Sequence, residues 1–137
     1  MAYSIDISYY ITDNSENKDD HVFEITGKYN DCNWYASDSG PHGTNNNTER
    51  SMNHGFHIES LDTLKNIIKE VNAHPFLWID FCTKSIDNGN DCEHIYYSDM
   101  FLPQIIPSCR EAYNEKRESY FGVDKEIYDL CMADTKN

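Results

Sequence analysis

The chain has 137 residues, 39% of them apolar and 13% aromatic, which is enough for one buried core and too little for two ordinary domains. Acidic residues outnumber basic ones 24 to 11, giving a formal charge of −13; this argues against a basic nucleic-acid binder, because neutralising phosphates requires clustered Lys and Arg. No apolar run approaches the ~20 residues of a spanning helix, and no cationic leader precedes an apolar stretch, so the expectation is a soluble, cytoplasmic protein that does not enter a membrane.

From residue 3 to 11 the apolar side chains alternate: Tyr3, Ile5, Ile7, Tyr9 and Ile11 on one face, Ser4, Asp6, Ser8 and Tyr10 on the other. This period of two predicts a half-buried strand. The polar run 13–20 reads as a loop, and residues 21–28 resume alternation with Phe23 and Ile25 inward, predicting a second strand paired with the first as a hairpin. Asn30 and Asp31 supply turn chemistry, and residues 33–37, with Trp34 and Tyr35, read as a short third strand. Residues 37–53 contain Gly40, Pro41, Gly43 and three consecutive Asn, and predict a long irregular loop.

Ser60 is placed to cap a helix over 61–73, because Leu61, Leu64, Ile67, Ile68 and Val71 fall on one helical face and Pro75 stops it. A dense strand follows over 76–84, and Asn88-Gly89 carries the dipeptide of a two-residue hairpin. With that loop, Lys84 lies opposite Glu93, Phe81 opposite Tyr96, Asp80 opposite Tyr97 and Trp78 opposite Asp99. Strict alternation then sends Leu77, Ile79, Phe81 and Thr83 toward the helices and Trp78, Asp80, Cys82 and Lys84 to the other face. A further helix is predicted over 108–120, and a last short one from Asp124 through Ile127 and Leu130 to Cys131. Together these elements predict a single α+β domain spanning 1–137, with a largely antiparallel sheet of about five strands and two to three helices packed on one face.

The candidate binding surface is the second hairpin face, where Trp78, Asp80, Tyr97, Asp99 and Glu93 combine carboxylates with large aromatics. A plain core would not choose that mixture, and aromatics commonly anchor interfaces. Asp80 and Asp99 are diagonal neighbours in this register, roughly 7–8 Å apart. That separation also suits paired-carboxylate chemistry, although the simpler role for Asp80 is a hydrogen bond to Tyr97. No catalytic residue is assigned.

His42, His54 and His57, with Cys32 upstream, are the best metal-ligand set, but their spacing fits no usual zinc knuckle or finger. His54 and His57 read instead as surface histidines flanking a short strand at Phe56 and Ile58. No metal and no cofactor are expected. Cys32, Cys82, Cys92, Cys109 and Cys131 are odd in number and form no C-x-x-C pair, which suits reduced thiols. Neither a nucleophile elbow nor a glycine-rich phosphate loop is present.

The expected function is accordingly that of a non-enzymatic acidic protein that binds and masks a basic surface on a protein partner, as inhibitors, immunity proteins and nucleic-acid mimics do. Two alternatives belong to other classes. One is a small hydrolase using a carboxylate pair or a histidine from the 42–57 region. The other is a self-assembling component whose exposed aromatics form a homodimer.

Overall fold

The computed structural model describes residues 3–12, 17–41, 50–85, 92–97 and 123–133. Among them five strands form one antiparallel sheet: β1 (Tyr3–Tyr10), β2 (Cys32–Pro41), β3 (Arg50–Ile58), β4 (Trp78–Ser85) and β5 (Cys92–Tyr97), in the order β2-β3-β1-β4-β5. Three helices accompany them: α1 (Lys18–Thr26), α2 (Leu61–Ala73) and α3 (Val123–Met132). Because β1 and β2 are both antiparallel to β3, they run parallel to each other, and α1 is the crossover that such a connection requires. Strands β3 and β4, both antiparallel to β1, are joined through α2 in the same way. The result is two interleaved β-α-β units, extended by β5 and α3, with the helices on one face. This is the α+β domain that the patterning predicts.

The core forms where that helical face meets the sheet. Tyr3, Ile5, Ile7 and Tyr9 of β1 are buried there with Phe56 and Ile58 of β3, Ile79 and Cys82 of β4, and Leu64, Ile67, Ile68 and Val71 of α2. Helix α2 begins where its sequence predicts: Ser60 is extended and its Oγ accepts the Thr63 N–H at 3.1 Å. Asp31 braces the same turn, accepting from the Ser60 N–H and the Thr63 hydroxyl. At the far end the Asn72 amide donates to the Leu130 and Cys131 carbonyls, satisfying the close of α3.

Three expectations need correction. Residues 21–28 do not form a strand; most of them lie in α1, whose buried residues Val22, Ile25 and Thr26 recur at three and four positions. The β-branched and aromatic composition there favours a strand locally, but the crossover between parallel β1 and β2 requires a helix, and tertiary context wins. The predicted loop at 37–53 is shorter, because β2 extends to Pro41 and β3 begins at Arg50; residues 42–49, with His42, lie outside the described residues.

The third correction concerns the faces of the β4–β5 hairpin. Ile7 pairs with Ile79 but Asp6 with Phe81, so Asp80 is an extra residue in a bulge. Beyond it every side chain of β4 changes face: Cys82 enters the core, whereas Phe81 and Thr83 join the opposite, polar face with Asp6 and Ser4. Lys84 pairs with Glu93 as predicted, but a second irregularity at Ile95 sets Phe81 opposite Tyr97 and Cys82 opposite Tyr96. The turn at 86–91 and the predicted helix at 108–120 lie outside the described residues.

Candidate interaction surface

The two faces of the sheet carry different chemistry. On the polar face, where Ser8, Ser51 and Thr83 are also buried, Asp80 is 1% exposed and accepts hydrogen bonds from the Trp78 indole at 3.2 Å and the Ser8 hydroxyl at 3.4 Å. The Ser8 hydroxyl also reaches Asn53 Oδ1 at 2.6 Å. Trp78 is half-buried, its ring 4.8 Å from that of Tyr10. Asp80 and Trp78 therefore adjoin, as the sequence pattern implies, but the Asp80 carboxylate is turned into the protein. Tyr97 and Glu93 are placed by their backbone pairing with Phe81 and Lys84, and Asp99 lies outside the described residues.

Asp6 lies at the centre of the polar face, paired with Gly55 on one side and Phe81 on the other. Burial first, and then repulsion from Asp80 and Asp38, pushes its carboxyl from 3.8 to about 7. Gly55 lets the Tyr35 ring approach closely: a Cβ there would lie 2.6 Å from Tyr35 Cζ. The Tyr35 ring occupies that space and stacks on His57 at 4.2 Å. The Ser4 hydroxyl holds His57 from the other side, 2.9 Å from Nδ1.

Strand β2 forms the outer edge. Trp34 pairs with Phe56 and Ala36 with Gly55, so Tyr35 is the extra residue of a bulge. That insertion brings Trp34 and Ser37 onto the same, helical face, where the Trp34 indole donates to Ser37 Oγ at 2.8 Å. Ser37 pairs across the ladder with His54 and lies 2.5 Å from its Nδ1. The other ring nitrogen, Nε2, is 2.7 Å from Asp19 Oδ1, and the Tyr9 hydroxyl donates to that same oxygen. A consistent assignment puts the imidazole proton on Nε2, donating to Asp19, so that Nδ1 accepts from Ser37. Burial works to raise the Asp19 carboxyl, but the hydrogen bonds from Tyr9 and His54 outweigh it and hold it below its ordinary value. An unbroken chain thus runs from the buried Tyr9 through Asp19, His54 and Ser37 to Trp34 at the surface.

His54 is not the surface residue that the sequence reading expects; it is 3% exposed, with the Phe23 ring edge-on at 5.2 Å. A signal for this was present, since His54 shares the parity of Phe56 and Ile58 on one strand. His57 does project to the exposed side, so the two histidines diverge to opposite faces. Among the described residues no three His, Cys, Asp or Glu side chains gather to hold a metal ion. Burial, with the neighbouring Asp31, pushes the Cys32 thiol up to about 12, which leaves it a poor nucleophile. Cys131 is pushed well up by burial and by a hydrogen bond with Cys82 in the core.

Every residue from 33 to 39 is exposed. Trp34 retains 53% and Tyr35 42% of their surface, among the few large hydrophobic side chains so exposed. No helix of the described residues is long and apolar enough to cross a membrane. Compared with known protein families, with curated proteins and with solved structures, the chain matches none.

Proposed function

We propose that this chain is an acidic cytoplasmic protein that binds and masks a basic surface on a protein partner, with β2 at the centre of the contact. One observation carries the reading: Trp34 is more than half exposed and is nonetheless held in place by hydrogen bonds traceable to Tyr9 in the core. An exposed aromatic in a fixed position has already lost its rotamer freedom, so a partner that covers it recovers most of the hydrophobic gain. Covering roughly 100 Å² of a tryptophan at ~25 cal/mol/Å² contributes about 2.5 kcal/mol. The −13 charge accelerates encounter with a basic partner and opposes nucleic acid. Asp38, exposed on β2 on the face opposite Trp34, supplies a local carboxylate.

The test is a salt-graded pull-down from source lysate with the wild-type chain and Trp34→Ala in parallel, the bound species being identified by mass spectrometry. A basic protein retained by the wild type at low salt, released as salt rises and lost from Trp34→Ala supports the reading. Equal retention by both chains overturns the role of β2.

A second reading, hydrolysis, is favoured by one feature: Ser37, His54 and Asp19 form the order of groups that activates a serine hydroxyl. An aryl phosphonofluoridate distinguishes the two readings. Hydrolysis requires a covalent adduct on Ser37 that is lost in His54→Ala, whereas a positioning chain leaves the mass of Ser37 unchanged.

A further inference from the structure

Strand β2 lies at the end of the sheet order, and among the described residues nothing pairs with its outer side. Edge strands are usually guarded against other chains by charged side chains, above all lysine, by proline, by a bulge or by a covering loop. Residues 32–41 contain no Lys or Arg, their single proline is the last residue, and residues 33–39 are exposed throughout. The bulge at Tyr35 and the Asp38 carboxylate, which accepts the Ser39 N–H at 2.8 Å, are the only guards among the described residues of β2; beyond the bulge, pairing with β3 is regular from Ala36 to Pro41, and an added strand takes over the Ser39 donor or leaves it with Asp38.

The geometry points to strand addition: we infer that the partner, on the binding reading above, contributes an extended basic segment that pairs antiparallel with β2 along residues 36–40. That stretch spans about 17 Å at 3.4 Å per residue, the length of an ordinary strand. Side chains of an added strand alternate between faces as those of β2 do. On the polar face they meet the exposed Asp38, which calls for a Lys or Arg; on the helical face they lie beside Ser37, with Trp34 just before the paired stretch, which calls for an apolar or β-branched residue. The recognised sequence is therefore an alternation of cationic and apolar residues. A second copy of this chain is the competing occupant, but each copy carries −13 and would bring a second Asp38 to the seam.

The probe is a labelled heptapeptide, Lys-Val-Lys-Val-Lys-Val-Lys, compared by fluorescence polarisation with the same peptide N-methylated at each internal residue. Methylation removes the main-chain donors and keeps the charge. Strand addition predicts binding about ten-fold or more tighter for the unmethylated peptide, because two or three main-chain hydrogen bonds are lost on methylation. It also predicts slowed amide exchange confined to residues 36–40, and weakening of about five-fold with Asp38→Lys. Equal binding of both peptides overturns strand addition while leaving charge-driven binding intact. Absence of binding by either peptide at low salt overturns both readings. Concentration-dependent protection of β2 without peptide, with a doubled mass by light scattering, overturns the inference in favour of a second copy.

Discussion

Replacing Asp6 with Asn tests the electrostatics of the polar face in a way that can be worked out beforehand. The Asp6 carboxyl moves from 3.8 to about 7 on folding, a rise of about 3 pH units. Below both values the carboxyl is protonated in the folded and unfolded chains, and it adds nothing to the pH dependence. Between them the folded chain holds a proton that the unfolded chain has released, so stability falls as pH rises, by up to about 1.4 kcal/mol per unit. Above pH 7 the deficit is constant at about 4 kcal/mol. Asn carries no charge at any of these pH values, and it can still occupy the site between Gly55 and Phe81. Urea denaturation of both chains near pH 4 and at pH 8 isolates this group, because contributions common to the two chains cancel. The expected result is near-equal stability at pH 4 and an Asp6→Asn chain more stable by up to about 4 kcal/mol at pH 8. A stability difference that does not change with pH, or that grows against the variant as pH rises, would refute the reasoning.

Other outcomes follow from single contacts. Ser60→Ala removes the cap at the start of α2 and should cost about 1 kcal/mol by urea denaturation, with α2 amides exchanging faster. Ile79→Ala, fully within the core opposite Ile7, should cost about 2–5 kcal/mol. Gly55→Ala should displace the Tyr35 ring from His57, visible as loss of the ring-current shift on the His57 protons; because Tyr35 can swing outward, the stability cost should stay within about 1–3 kcal/mol. Ser37→Ala, measured in a Trp78→Phe background, should lower the fluorescence anisotropy of Trp34 and weaken partner binding, since the indole loses its acceptor. Unchanged anisotropy would mean that the hydrogen-bonded chain does not hold Trp34.

The elements that could be read from sequence are those in which one local pattern decides the structure. Helix α2 has a capping serine, an apolar stripe and a stopping proline, and its observed bounds match that pattern. The alternation in β1 predicts which of its residues are buried, with Ser8 the exception because its hydroxyl is engaged by Asn53 and Asp80. Helix α1 could not be read, because Val22, Phe23, Ile25 and Thr26 are good strand formers and only the need to connect two parallel strands makes them helical. The hairpin surface was legible as far as the first bulge. One inserted residue at Asp80 reverses the faces of β4, and a binary pattern of apolar and polar residues does not encode an insertion. The chain from Tyr9 to Trp34 draws on β1, α1, β2 and β3, so no spacing in the sequence announces it; only the buried parity of His54 gave a hint.

On the binding reading, β2, with Trp34 held from below, is where this protein meets a basic partner. Amide hydrogen exchange on the wild-type chain, with and without the partner retained in the pull-down, tests it most directly. Slowed exchange on binding is expected to centre on residues 33–39. Protection confined to β4, β5 or α3, with β2 exchanging as in the free chain, would contradict it.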